Sequence, residues 1–330
     1  MLGESSPNGK SPAEILPGLR FELTDSADVA ARQALESGLA ALQFYTRGTL
    51  AGQTDAIHQF RITIRKLRVA VELFAPLLHG SRVRIYRFGL ARIGAAAGAV
   101  RDCDVIADLI RENARRLDPE LARALLPMYQ SLTDRRLRTM RAMHDLLCSK
   151  YFSQLNERLA NPLTRKTNLD QSLRLLSAIL LKSFIRGVGR AGSGLGPASP
   201  PSAFHRLRIR VKRLRYALEM FDQISGKRIA KALKGLRQIQ QELGEYQDLS
   251  SASIWVREFA SHRLVDSPET LVASGSLLQL FNQRRQKLAT RSLKTWDEIK
   301  QERAMIKASA EINQVTRMEM ITEFIEVSRT

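Results

Sequence analysis

The sequence predicts an all-α protein built from two copies of one helical unit. Three observations carry that expectation. Apolar residues recur at helical spacing through most of the 330 residues. No segment shows sustained period-two alternation of strand-forming residues. And the stretch D-A-I-H-Q-F-R-I-T-I-R-K-L-R-V-A-V-E-L-F, residues 55–74, returns 147 residues later as S-A-F-H-R-L-R-I-R-V-K-R-L-R-Y-A-L-E-M-F. The overlay matches His58 with His205, Arg61 with Arg208, Arg65 with Lys212, Lys66 with Arg213 and Arg68 with Arg215. It also matches Ile62 with Ile209, Leu67 with Leu214 and Phe74 with Phe221, and sets Asp55 opposite Ser202, both good helix N-cap residues. Chance does not preserve cap, cation and core positions together, so the chain contains a duplicated unit.

Taken in order, residues 1–26 are rich in Ser, Pro and Gly and read as a flexible leader. From Asp28 to about Arg47, the residues Val29, Leu35, Leu39, Leu42 and Phe44 mark a first helix and open a first half over residues 27–160. The run G-T-L-A-G-Q-T-D then turns into the duplicated stretch, the second helix. That helix is expected to end around His79-Gly80-Ser81, and its copy around Ser225-Gly226-Lys227. There the offset falls to 146, a one-residue deletion in a turn, where a helical repeat tolerates it best. In the new register Gly89 meets Gly235, Leu90 meets Leu236, Ile93 meets Ile239, Gly98 meets Gly244 and Asp102 meets Asp248. The last two pairs read as the end of a third helix and the cap of a fourth, with a counter-ion role second for the aspartates. The small run G-A-A-A-G-A, residues 94–99, follows no strand and reads as a close-packing surface rather than a nucleotide loop.

Helical spacing continues from Val105 to about Ala160, with Pro119 and Pro127 marking a start or a kink. Residues 161–168 are the expected join, and residues 169–300 the second half. In it, Leu169 to about Arg190 resembles the first helix, 192–201 is a loop, and 270–300 is the closing helix. Residues 301–330 read as a C-terminal helical extension without a counterpart.

Composition narrows the function. The chain is 44% hydrophobic and 26% charged, as a soluble protein with a sizeable core would be. Lys plus Arg number 52 against 33 Asp plus Glu, a formal charge of +19 and a pI near 10.5. That imbalance favours a polyanionic partner: nucleic acid, phosphate polymer or anionic membrane surface. Cys103 and Cys148 form no Cys-x-x-Cys or Cys/His cluster, which argues against a disulfide framework or a zinc site and fits a reducing cytoplasm. No run reaches the ~18 apolar residues of a membrane span, and the N-terminus lacks an apolar signal core.

The charge is organised. On a helical wheel with His58 at zero, Arg61 falls near 300°, Arg65 near 340° and Arg68 near 280°. Phe60, Ile64, Leu67, Val71 and Phe74 fall between about 160° and 240°. One helix thus buries a face and presents a cationic row. Unpartnered cations one turn apart repel, so a bound polyanion relieves the row, with Glu72 and Glu219 relieving one end. Guanidinium groups grip phosphate oxygens bidentately and Lys adds a point charge. His58 and His205, read as first-turn residues, would donate to an anion at the helix N-terminus, the alternative being a structural histidine. For Arg61, Arg65, Arg68, Arg208, Lys212 and Arg215 the alternative is a solvated face; Lys66 and Arg213 lie outside the wedge. A weaker echo pairs Arg135 and Arg138 with Arg284 and Lys287, as further phosphate contacts or a solvated cluster.

The repeated string H-x-x-R-I-x-x-[RK]-[KR]-L-R resembles the signature of the CHAD family, the histidine-containing α-helical domains. G-A-V-R-D-C-D-V (98–105) and G-E-Y-Q-D-L-S (244–250) resemble its second signature. The likeness spans about residues 28–300. It implies two pseudo-symmetric four-helix bundles whose basic helices face a central groove or pore that binds inorganic polyphosphate. Family contacts carry over to His58, Arg61, Arg65, Arg68, His205, Arg208, Lys212 and Arg215. Cys103 stands where the family usually has an apolar residue such as Leu. Some members carry a triphosphate-hydrolysing domain with a Glu-x-Glu-x-Lys motif, which this sequence lacks.

The leading expectation is therefore a non-catalytic polyphosphate-binding module of the cytoplasm, localised to polyphosphate granules, with no catalytic residues, cofactor or metal. A phosphate-processing enzyme would need clustered carboxylates around a divalent ion or a positioned nucleophile, and no such motif is found. Nucleic-acid binding would want aromatics interleaved with the cations, whereas aromatics are 6% of residues and those near the motif lie on the apolar stripe. Weak, non-specific nucleic-acid binding at low salt is the remaining expectation.

Overall fold

The computed structural model describes residues 26–162, 173–220, 227–263 and 267–301. Its helices in chain order are α1 (Ala27–Leu50), α2 (Thr54–Leu73), α3 (Gly80–Ala114), the short α4 (Pro119–Arg123), α5 (Leu126–Leu147) and α6 (Lys150–Ala160). The second half follows with α7 (Leu173–Gly192), α8 (Pro201–Met220), α9 (Lys227–Arg263) and α10 (Pro268–Gln301). The protein is all-α, as expected. The leader up to residue 25, most of the join, Phe221, the turn at 225–226 and the extension from residue 302 lie outside the described residues.

Each helix forms by burying an apolar stripe. On α2, Phe60, Ile64, Leu67 and Val71 are buried, and Phe74 closes the same stripe just past its end. Gly38 lets α1 lie against this stripe, because a Cβ there would collide with Leu67. The turn between α1 and α2 uses Gly52 at φ +74°, a left-handed conformation that glycine adopts without a Cβ clash. The expected first-helix apolar set is only partly core: Leu35, Leu39 and Leu42 are buried, but Val29 and Phe44 are exposed.

Partners repeat in the same order in both halves. α1 packs on α2, α2 on α3 and α3 on α5, just as α7 packs on α8, α8 on α9 and α9 on α10. The matched glycines serve matched contacts: Gly89 brings α3 against Leu155 of α6, and Gly235 brings α9 against Ile299 of α10. The halves meet through corresponding helices, α2 with α8 and α3 with α9. This arrangement is compatible with the duplication. The first half carries α4 and α6 in addition, the latter burying Phe152, Leu155 and Leu159.

Several boundaries differ from the sequence expectation. α2 stops at Leu73, not near His79, because Pro76 has no N–H to continue the ladder and the chain passes into a 3-10 turn at Ala75–Leu77. α3 and α9 run unbroken through Gly98 and Gly244, so Asp102 and Asp248 cap nothing and sit mid-helix. Asp55 and Ser202 lie inside their helices: α2 begins at Thr54 after an extended Gln53, and α8 begins at Pro201, whose fixed φ suits a first turn. His58 and His205 are therefore the fifth residues of their helices, beyond the free N–H groups of the first turn. Ile62 is only half-buried and Ile209 is exposed, so this matched pair is not core.

Candidate functional site

The cationic face of α2 is turned towards α3 and towards α8, and that of α8 towards α9. The Arg61 guanidinium, largely buried, donates to the Gly98 carbonyl oxygen at 3.3 Å and to the Asp102 carboxylate at 3.3 Å. Asp102 is thus a counter-ion to the basic row, the second of the two roles its sequence position allowed. In the other half Asp248 holds the equivalent place, pulling electrostatically on Arg208 and Lys212.

The two rows act on each other. Arg65 and Arg61 depress the pKa of both Arg208 and Lys212, and Asp102 bears on Arg208 and Asp248. Arg61, Arg65, Arg208 and Lys212 consequently form one electrostatic basin at the α2–α8 contact, with Asp102 and Asp248 as its carboxylates. Burial above all makes charge costly there. It holds Arg61 and Arg208 below the ordinary arginine value, raises Asp248, and pushes Lys212 down to about 6. The Nε of Arg208 is buried with no hydrogen-bond partner, a donor left for something the protein does not supply.

The remaining members of the rows fall into two groups. Arg68 is exposed and makes no hydrogen bond or ion pair among the described residues. Arg215 is half-buried and fully engaged, donating to Gln240 at 2.7 Å and to Glu219 at 2.6 Å. Glu219 also holds Arg237, and Glu72 reaches across the halves to Arg213 at 3.4 Å. The carboxylates at the ends of the rows therefore do pair with cations, but Glu72 takes Arg213, which lies outside the wedge.

The histidines differ too. His58 is exposed, and partial burial, then Arg101, Arg65 and Arg61, hold its pKa below the ordinary imidazole value against the weaker pull of Asp55. His205 donates from Nδ1 to Gln247 Oε1 at 2.8 Å, which leaves Nε2 facing outwards as the free nitrogen.

Of the outlying cations, Arg135 and Arg138 are exposed on α5, with Arg135 close enough to act on the Cys103 thiol. Arg284 is committed to Glu112 of α3 at 2.8 Å and Glu245 of α9 at 3.5 Å, and works as a strap between the halves, while Lys287 is exposed. Sequence reasoning missed Arg101 and Gln247. They are matched positions immediately before Asp102 and Asp248, and that adjacency was the available signal. Among the described residues, no group of three or more His, Cys, Asp or Glu side chains is placed to hold a metal ion. No helix there is long and apolar enough to cross a membrane.

A family model described as CHAD domain matches residues 33–257. The crystal structure of the CHAD domain from the plant Ricinus communis superposes with a TM-score of 0.69 at 23% identity, covering 84% of this chain and 95% of that one. PptA from Streptomyces chartreusis superposes with a TM-score of 0.62 at 17% identity, covering 83% and 100% respectively. Among curated sequences, two uncharacterized proteins of Mycobacterium tuberculosis, MT2285 and Rv2226, are each 25% identical over 226 residues, 66% of this chain. The match spans 42% of the length of those relatives.

Proposed function

We propose that this chain, which belongs to the CHAD family, binds inorganic polyphosphate without transforming it. The observation that carries the reading is the convergence of Arg61, Arg65, Arg208 and Lys212 from two helices onto one basin whose carboxylates are Asp102 and Asp248. A linear chain of phosphates, charged at every unit and without bulk, fits such a basin. Its oxygens accept from the guanidinium groups and satisfy the orphaned Arg208 Nε. Arg65 and Arg68 extend the contact along α2, and the free nitrogen of His205 along α8. Localisation at polyphosphate granules follows from the same affinity.

Binding is measured with polyphosphates of increasing length across a salt series. Affinity is expected to rise with length until both rows are spanned and to fall steeply with salt as condensed counter-ions are released. Absence of length dependence or of salt sensitivity sinks the proposal. Competition by single-stranded DNA at physiological salt separates a phosphate-chain site from a general polyanion surface. Incubating long-chain polyphosphate with protein and Mg²⁺ or Mn²⁺ checks the non-catalytic part: release of phosphate with turnover overturns it.

A further inference from the structure

We propose that capture of the phosphate chain is coupled to proton uptake by Lys212, so that the occupied site carries one more positive charge than the empty one. The inference rests on the reading of the site given above. Lys212 lies inside the basin, one turn along α8 from Arg208, with Arg65 and Arg61 of α2 across from it and Asp248 of α9 beside it. On the other flank of α8, α7 brings Gly187 against Arg210 and exposes Lys182, Arg186 and Arg190. No carboxylate lies within ion-pairing distance of the Lys212 ammonium among the described residues. Its matched position in the first half is Arg65. A guanidinium cannot give up its proton in a protein, whereas a desolvated lysine can. Of the four cations in the basin, Lys212 alone can change charge.

Burial, then Arg208, Arg65 and Arg61, bring its pKa to about 6 against the pull of Asp248. Near neutrality the empty basin therefore sets three arginines against two carboxylates, with Lys212 as a neutral amine. A phosphate chain brings negative charge next to that amine and raises its pKa, so the bound state takes a proton from solvent. No bond other than N–H forms, and the proton comes from water or buffer. The sign follows from linkage: a group whose pKa is higher in the complex strengthens binding as pH falls, down to its pKa in the free protein. Affinity should be level below about pH 6 and weaken by up to about tenfold per pH unit above it, until the pKa of the complex is passed.

The test is calorimetric titration of the full chain with long-chain sodium polyphosphate at pH 7.5, in two buffers of different ionisation enthalpy. Lys212→Arg, which keeps the charge but cannot titrate, is the reference, and proton exchange by the polymer's own end groups is common to both proteins and cancels. The expected result is up to one additional proton taken up per bound chain by the wild type, and a steeper fall of affinity with pH than in Lys212→Arg. Should the arginine variant fail to fold, Lys212→Met provides the same subtraction. Equal proton uptake and parallel pH profiles overturn the inference while leaving the binding site standing. Absence of polyphosphate binding by the wild type overturns the reading of the site and this inference with it.

Discussion

The two halves carry the same motif and put it to different states of readiness. In the second half Arg215 is tied to Gln240 and Glu219, Arg237 joins them, and His205 is oriented by Gln247. The matched residues of the first half are Gly94 for Gln240, Ala91 for Arg237 and Arg101 for Gln247. With glycine and alanine there, Arg68 has nothing on α3 to bond and stays free at the surface. With Arg101 there, His58 is repelled rather than held. Gly94 has its own reason, since a Cβ at that position would press on Ile64 at 3.2 Å where α2 crosses α3. The duplicated helix therefore supplies the cations, while the helix that follows decides which of them are spoken for.

The comparison is broken most severely by removing what the halves share. Arg61→Ala combined with Arg208→Ala is expected to weaken polyphosphate binding roughly 100-fold or more, each change deleting charge-assisted contacts of about 1.5–3 kcal/mol. Fluorescence anisotropy at fixed salt measures it, and intact affinity in the double variant would reduce the basin to ordinary surface.

Lys212→Met sharpens the cost of the site. The folded pKa of Lys212 lies below its ordinary value of 10.5, so between the two the unfolded chain binds more protons. The stability this residue costs is full below about pH 6 and fades as pH rises towards 10.5. Lys212→Met should raise Tm by about 2–4 °C near pH 6, the effect of roughly 1 kcal/mol in a chain of this size, and by less at pH 9. A calorimetric scan at each pH checks it, and a larger gain at pH 9 would contradict the assignment.

The asymmetry itself is tested by the pair Arg68→Ala and Arg215→Ala. Arg68→Ala should weaken binding by about fivefold, as for a surface charge contact, and leave Tm unchanged. Arg215→Ala should instead lower Tm by about 2–4 °C, because it removes two half-buried charged hydrogen bonds. Equal effects of the two variants on affinity would mean that the second-half network opens to ligand as readily as the first. The smallest change is Arg101→Gln, which gives the first half the second half's residue. It should raise the His58 pKa towards the ordinary imidazole value, read as a shifted midpoint in an NMR titration, and an unmoved midpoint would remove Arg101 from the site.

Much of this was legible in the chain. The buried stripe of Phe60, Ile64, Leu67, Val71 and Phe74 was set by helical periodicity, and the packing role of the run at 94–99 by the absence of side chains large enough to hold a neighbour away. The cationic wedge was visible because a helix places residues three and four apart on one face. Helix boundaries were not, since caps read from residue type alone mistook Asp55, Ser202, Asp102 and Asp248 for ends. Whether α3 continues through Gly98 depends on contacts made by both of its faces, not on the glycine.

By itself, then, the sequence determined the helices, the duplication, the family and the residues that form the basic rows, because these depend on local periodicity and on matched residue types. Tertiary structure alone decided which cations are free. Partners such as Gln240 for Arg215, Glu72 for Arg213 and Glu112 for Arg284 lie 25, 141 and 172 residues away. Desolvation of Lys212 likewise arises only where two helices from opposite halves meet.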